Sequence, residues 1–224
     1  ILGSGLVIKS KNNKYFDRFR DRLMFPIINT IGKVVGFGGR IISDSKNEPK
    51  YLNSPETLIF DKSQNLYSLN FARKSGFKEF ILVEGYVDVI TLYQNGIHNV
   101  IASLGTAFND NHAKFLKKFT DSLILCFDND NAGIEATLRA IPKLSEQGFK
   151  IKVITLNNAK DPDEFIRIFG IDAFKEKITN AKSHILFQIN ILLKSFNLSN
   201  LEEKIMFTNK VAKILSSVNS EIEL

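Results

Sequence analysis

Residues 80–88 read Phe80-Ile81-Leu82-Val83-Glu84-Gly85-Tyr86-Val87-Asp88, and they decide the fold. Four apolar residues in a row are the pattern of a strand buried on both faces, here ended by a carboxylate and a glycine. Helical spacing then takes over across 87–94. The unit recurs downstream: apolar runs at 100–104, 123–127 and 151–156 alternate with helical stretches at 112–119, 132–146 and 163–169. Gly96 and Gly148 stand where helices end. Alternation of this kind specifies an α/β fold, a mostly parallel sheet flanked by helices and joined by right-handed crossovers.

In an open parallel sheet the carboxyl ends of the strands share one edge, and ligands bind there. Glu84 follows the first strand, Asp128 and Asp130 follow the third, and Asp161 and Asp163 follow the fourth. Asp88, in the first turn of the next helix, is a candidate sixth acid. Carboxylates gathered on one rim raise one another's pKa unless a cation is present. Oxygen donors without Cys or His select Mg²⁺ or Mn²⁺ over Zn²⁺, and His98, His112 and His184 have no ligand spacing. Such a site keeps positions open for water and phosphate oxygens, which points to phosphoryl or nucleotidyl chemistry. An Asp between strand and helix also serves as an N-cap, and for Asp161, followed by Pro162, both readings stand. Glu84 is a poor cap, and a charge ending a buried strand needs a partner. Asp110 and Asp172 read as caps or solvated charges, and Cys126 as a small core residue.

Upstream of this region, residues 24–28 and 34–42 form two apolar runs split by Asn29-Thr30-Ile31-Gly32-Lys33, a hairpin pattern. Gly36, Gly38 and Gly39 in the second run predict a bulge or close backbone approach. Residues 63–74 have helical spacing, stopped by Gly76, which places a border near 75. After Gly170 no strand-like run remains, and 173–181, 184–196 and 201–218 read as helices, the last opened by a capping box at Ser199-Asn200-Leu201-Glu202.

The 224 residues are 44% apolar and 24% charged, enough for a core and too apolar for disorder. One cysteine leaves no disulfide, and no apolar run approaches the roughly 20 residues of a membrane span. The opening residues are neither a signal peptide nor an initiator start, so a soluble, intracellular piece of a longer chain is expected. Lys and Arg number 30 against 24 Asp and Glu, and the surplus is uneven: residues 1–75 hold 13 against 6, residues 76–170 hold 10 against 12, and residues 171–224 hold 7 against 6. The expected organisation is therefore a basic mixed α+β subdomain (1–75), an acid-rimmed α/β subdomain (76–170) and a helical subdomain (171–224). In extended conformation Arg18, Arg20 and Arg22 would share one face and could clamp phosphates, with Arg40, Lys50 and Lys62 as further candidates.

The run Tyr15-Phe16-Asp17-Arg18-Phe19-Arg20-Asp21-Arg22, then Gly36-Phe37-Gly38-Gly39-Arg40, then Pro49-Lys50-Tyr51-Leu52-Asn53-Ser54-Pro55-Glu56-Thr57 resembles the bacterial replicative DNA primases of the DnaG type. Glu84-Gly85-Tyr86-Val87-Asp88-Val89, Ala102-Ser103-Leu104-Gly105-Thr106 and Asp128-Asn129-Asp130-Asn131-Ala132-Gly133 resemble the Toprim half of the same enzymes. The Toprim motifs alone are shared with topoisomerases and some nucleases, whereas the Pro-Lys-Tyr-Leu-Asn-Ser-Pro run is more specific. The resemblance implies a central RNA polymerase domain made of a basic subdomain, a Toprim fold and a helical subdomain. It also implies Glu84, Asp128 and Asp130 as catalytic and metal-binding acids, with Asp88, Asp161 and Asp163 as outer members. Arg40, Lys50 and Lys62 then line the template and nucleotide path, with Arg18, Arg20 and Arg22 beside them. The partners implied are single-stranded DNA, ribonucleoside triphosphates and the RNA primer, in a cytoplasmic, replisome-associated setting without a membrane. The resemblance further implies that the zinc module and the domain that meets the replicative helicase lie outside this stretch, and that the basic subdomain is entered part-way, at Ile1. The family commonly has Gly between the two aspartates and a basic or polar residue after them. Here Asn129 and Asn131 stand in those places, and Asn tolerates a left-handed turn.

Three functional readings follow: template-directed primer synthesis, a Toprim nuclease or topoisomerase-like phosphodiester enzyme, and a non-catalytic single-strand-binding module whose acids are only caps. A topoisomerase needs a tyrosine nucleophile, and Tyr15, Tyr51, Tyr67, Tyr86 and Tyr93 show no flanking base or arginine suited to activating one.

Overall fold

The structure is a computed structural model that describes residues 2–43, 48–105 and 108–216. Ile1, Thr106 and the predicted end of the last helix at 217–218 lie outside the described residues.

The basic segment builds two small antiparallel sheets. In the first, β1 (Val7–Lys9) pairs with β2 (Tyr15–Asp17). In the second, β3 (Arg22–Ile28), β4 (Val34–Ile41) and β5 (Tyr51–Asn53) follow in order, and β3–β4 is the hairpin that the sequence predicts. The Asn29 carboxamide oxygen accepts the N–H groups of Ile31 and Lys33 and closes the turn. The glycines of β4 do admit close approach, but by the protein's own side chains: a Cβ on Gly38 would lie 2.7 Å from the Tyr86 ring and one on Gly36 3.1 Å from Phe60.

The helix expected over 63–74 is not continuous. A short 3₁₀ turn (Lys62–Gln64) leads through a left-handed Ser68 to α1 (Leu69–Ala72). Asp61 explains the break: its carboxylate accepts from the backbone and hydroxyl of Ser63 and from Gln64, holding a local turn in competition with the helix. Tyr67 then exchanges both backbone hydrogen bonds with Ala102, which fastens this segment beside the main sheet.

That sheet comprises β6 (Glu79–Val83), β7 (Val100–Ala102), β8 (Ser122–Leu125), β9 (Lys150–Val153) and β10 (Lys182–Ser183), ordered β10-β9-β8-β6-β7. The pairs β6–β7, β6–β8 and β8–β9 are parallel. The antiparallel two-residue β10 corrects the expectation that no strand follows 170; it is too short for an apolar pattern to announce it. Between the parallel strands run α2 (Tyr86–Gln94), α3 (Asp110–Leu116) and α4 (Asn131–Glu146), and after β9 runs α5 (Pro162–Thr179), bent at Gly170. Then come α6 (His184–Leu193) and α7 (Leu201–Ser216). The cap of α7 is Asn200 rather than Ser199, its side-chain oxygen accepting the N–H groups of Glu202 and Glu203.

The period of two along each strand assigns the faces. Phe80, Leu82, Leu123 and Leu125 pack with α1, α3 and α4, while Ile81, Val83, Ile124 and Cys126 pack with α2 and α5. A third cluster of Phe25, Ile27, Phe60, Tyr86 and Leu104 joins the antiparallel sheet to the parallel one. Gly38 lies at this junction. Gly38→Ala is expected to cost about 1–3 kcal/mol by overpacking against Tyr86. Gly3→Ala, where a Cβ meets nothing within 4 Å, should stay within about 0.5 kcal/mol of the parent. Urea unfolding of the two variants measures the difference.

Candidate active site at the carboxyl edge of the sheet

The chain leaves β6 toward β7 on one side and returns to place β8 on the other, so connections diverge between β6 and β8. This is a topological switch point, where a crevice opens at the carboxyl ends. Glu84 directly follows β6, and Asp128 lies three residues beyond β8. The Asp128 N–H donates to Glu84 Oε1 at 3.0 Å, and the Asn129 N–H donates to the Lys160 carbonyl at 2.7 Å. Two hydrogen bonds thus lace together the ends of β6, β8 and β9.

The helices that leave this edge present their N-termini to it. Asp88, in the first turn of α2, accepts the Gly85 N–H at 3.1 Å. Asp130 caps α4 by accepting the Gly133 N–H at 2.8 Å, and Asp161 caps α5 by accepting the Glu164 N–H at 2.8 Å. Capping is therefore real for Asp130 and Asp161, and it does not remove them from the cluster. Asp161 and Asp128 both push the Asp88 carboxyl upward, and Glu84, Asp161 and Asp130 do the same to Asp128.

Burial is the main cause of the raised proton affinity, with neighbouring carboxylates second. It takes Asp88 to about 7, against two backbone N–H donors, from Asp163 and Gly85, that favour the charged form. Asp128 rises to about 6, with Lys160 opposing, and Glu84 is raised by burial with the Asp128 N–H opposing. Asp163 is placed differently. Its carboxylate accepts the Thr91 hydroxyl at 2.5 Å and pairs with Arg167 at 2.7 Å, so it joins α2 to α5 at the back of the rim.

Among the described residues, no three Asp, Glu, His or Cys side chains close around one point. The donor set is all oxygen and its acids repel one another, which fits a hard cation held by one or two carboxylates and completed by water and phosphate oxygens, rather than an all-protein cage. Neither Asn129 nor Asn131 has a positive φ, so the turn does not need the left-handed tolerance of Asn, and Asn131 opens α4. Cys126 is fully buried with its thiol pushed up, as a core residue should be.

The basic candidates divide. Arg18, Arg20 and Arg22 do not form one extended face: β2 ends at Asp17, and Asp21 takes a positive φ before β3. Arg18 donates through Nε and Nη2 to the Asn53 carbonyl. The Arg22 side chain, 2% exposed, donates to the Gly39 and Pro49 carbonyls and pairs with Glu48 at 3.0 Å. Both are spent on their own lobe. Arg20 is exposed, its guanidinium 5.2 Å from the Phe16 ring. Arg40, paired with Tyr51 across β4–β5, lies over that ring at 5.9 Å, and Lys50 is exposed beside it. Tyr51 is pushed up mainly by burial, then lowered by Arg40 and raised by Asp88 and Asp161, so the Arg40–Tyr51 pair lies within electrostatic reach of the rim. Lys62 opens the 3₁₀ turn, and its carbonyl meets Nε2 of the buried His112 at 2.7 Å. The His112 Nδ1 accepts the Asn109 N–H, so Nε2 is the donor to Lys62.

Sequence reasoning missed several contributors. A Cβ on Gly133 would lie 2.0 Å from the Asp128 carbonyl oxygen, so only glycine lets the aspartate loop close over α4. A glycine in the first turn of a helix was the available signal. Asn53, Thr91 and Lys160 act through partners remote in sequence and gave none. Burial pushes up Tyr51, Tyr67 and Tyr86, the reverse of what a tyrosine nucleophile needs. The cavity of about 790 Å³ bounded by β9, α5 and α6 has none of the rim acids in its lining.

A parallel sheet with an acid rim at its switch point, met by a basic antiparallel lobe, defines a Toprim-type catalytic core. Residues 1–73 match the family model for the DNA primase catalytic core, N-terminal domain, and residues 81–166 match the Toprim-like model. A DNA primase of Clostridium acetobutylicum is 46% identical over 220 residues, covering 98% of this chain and 36% of that protein. A DNA primase domain from Pseudomonas aeruginosa superposes with a TM-score of 0.86 at 38% identity, over 98% of this chain and 70% of that one. A DnaG primase catalytic domain bound to ssDNA does so with a TM-score of 0.85 at 34% identity, over 99% and 72%. The chain belongs to the DnaG-type primase family and spans about a third of the length of the curated relatives it matches. Toprim membership implies use of a divalent metal. Among the described residues, no helix is long and apolar enough to cross a membrane.

The raised carboxyls make stability depend on pH. With folded values of about 7 for Asp88 and about 6 for Asp128, against about 3.9 in an unfolded chain, the folded protein binds the extra protons. Their stabilising contribution is full below pH 4 and is lost as pH rises through 6 and 7. In chelator the rim's contribution to Tm should fall from pH 5 to pH 8, and Mn²⁺ should raise Tm more at pH 8 than at pH 5. Thermal melts check this, with Asp88→Asn expected to flatten the chelator profile.

Proposed function

We propose that this chain is the catalytic core of a DNA primase and carries out template-directed synthesis of short RNA primers on single-stranded DNA from ribonucleoside triphosphates. The observation that carries the reading is the nearness of basic lobe and acidic edge, since the Arg40–Tyr51 pair of β4–β5 lies within electrostatic reach of Asp88 and Asp161. A polyanion can lie between them only if metal neutralises the acidic side.

Glu84, Asp128 and Asp130 are the proposed ligands of Mg²⁺ or Mn²⁺, with Asp88, Asp161 and Asp163 as the outer members of the cluster. When bound, the metal supplies Lewis-acid charge to the nucleotide phosphates and lowers the pKa of the attacking 3′-hydroxyl. The protein's part is positional. Hydrogen bonds from backbone N–H groups to Glu84, Asp130 and Asp161 fix those carboxylates, and the N-termini of α2, α4 and α5 add positive potential at the rim. Arg40, Lys50 and Lys62 are proposed to hold template and triphosphate through phosphates, with Arg20 as an exposed auxiliary and Arg18 and Arg22 as the braces of that lobe. Such contacts carry affinity with little sequence readout. The borders near 75 and 170 are proposed to separate the phosphate-holding, metal-holding and helical parts. Zinc and the replicative helicase are proposed to be met by other parts of the protein.

In the complete enzyme Asp128→Asn should lower dinucleotide formation by at least about 10²-fold, equivalent to about 2.7 kcal/mol of transition-state stabilisation. Single-strand affinity should be retained or improved, since a negative charge is removed. Surviving primer synthesis would show that the acid is assigned wrongly. Cleavage of labelled single strands with Mg²⁺ and no added nucleotide would replace the primase reading by a Toprim nuclease.

A further inference from the structure

Tyr86 lies two residues after Glu84 and two before Asp88, at the start of the helix that carries the acid rim away from β6. Its ring stacks on Phe25 of β3 with centroids 5.1 Å apart and planes 5° apart, and meets the Tyr67 ring edge-on at 4.6 Å. Packing of that kind accounts for a large aromatic side chain, and phenylalanine would satisfy it, as Phe25 and Phe60 do in the same cluster. It does not account for the hydroxyl. That group donates to Asn53 Oδ1 at 2.8 Å. Asn53 ends β5, two residues beyond Tyr51, and its Nδ2 donates to the Leu104 carbonyl at 2.6 Å. The carboxamide orientation is fixed by these partners, because a carbonyl accepts only and must face the nitrogen. Arg18 holds the backbone carbonyl of the same Asn53 through two donors.

One side chain therefore receives a bond from α2, which follows the acid rim, and gives one to the loop after β7, while its strand β5 belongs to the sheet of the basic lobe. Stacked rings slide over one another at small cost, whereas a buried hydrogen bond fixes separation and direction together. We propose that the Tyr86 hydroxyl and Asn53 form a positioning pair that sets the gap between the basic lobe, through its strand β5, and the acid rim, and thereby the placement of a nucleotide triphosphate held by both. Neither residue needs to touch the reacting atoms for this role. The inference rests on the primase reading for its substrate, and on the three-segment geometry for its mechanism.

Tyr86→Phe in the complete enzyme keeps the ring and removes the bond. Single-strand affinity by fluorescence anisotropy and Mn²⁺ affinity by calorimetry should stay within twofold of the parent, because each lobe remains intact. The kcat of dinucleotide formation should fall at least tenfold. Hydrogen exchange should quicken in peptides spanning 49–56 and 100–105 and remain unchanged in β6. A kcat within twofold of the parent overturns the proposal, as does unchanged exchange in both peptides. Loss of Mn²⁺ affinity also overturns it, since the hydroxyl would then serve the rim alone. If the parent enzyme makes no dinucleotide, the primase reading fails by itself, and the exchange measurement still decides whether the pair fixes the two lobes.

Discussion

Carboxylates repel, and this protein gathers them at the ends of three adjacent strands. What holds them is a set of backbone N–H donors: Asp128 to Glu84, Gly85 and Asp163 to Asp88, Gly133 to Asp130, and Glu164 to Asp161. Each donor exists because a helix begins there or a loop crosses to the next strand. The parallel order of β9, β8 and β6 brings the loops together, and the helices that follow these strands, α2, α4 and α5, start at the same edge. Sheet topology and local electrostatics are thus one arrangement. The repulsion that remains appears as the raised proton affinities of Asp88 and Asp128, a strain that a divalent cation relieves.

The basic lobe is held against this rim by aromatic packing and by two glycine-permitted approaches. Gly38 leaves room for Tyr86, and Gly36 for Phe60, so the β4 backbone lies directly on rings that belong to the junction. Had those positions carried side chains, β5 and Arg40 would stand farther from the acids. The lobe's arginines divide their work accordingly. Arg18 and Arg22 are consumed in bracing strands, which leaves Arg40, Lys50 and Lys62 as the candidates for phosphate contacts.

Much of this was legible in the chain. The alternation from Phe80 onward specified a parallel sheet because strands buried on both faces, as at 80–83, 100–104 and 123–127, have no polar period, and each of these three runs ended on an acid or a glycine. The hairpin of β3 and β4 was visible from its apolar runs and the Asn-Thr-Ile-Gly-Lys turn. Local competition was harder to see: the Asp61 turn dissolved a helix whose apolar spacing looked regular, and Asp21 broke an arginine row that alternation alone would have kept straight. The two-residue β10 carries no periodic signal at all.

The sequence by itself determined which residues end the strands, where the basic surplus lies and which family the motifs resemble, because these depend on neighbours along the chain. Only the tertiary structure decided that Asp163 belongs to Thr91 and Arg167, that Gly133 must lack a side chain, and that Tyr86 reaches Asn53. Those facts depend on atoms brought within about 3 Å of one another from segments tens of residues apart. Spacing along the chain records the period of an element, but it does not record the direction in which a hydrogen bond crosses between two of them.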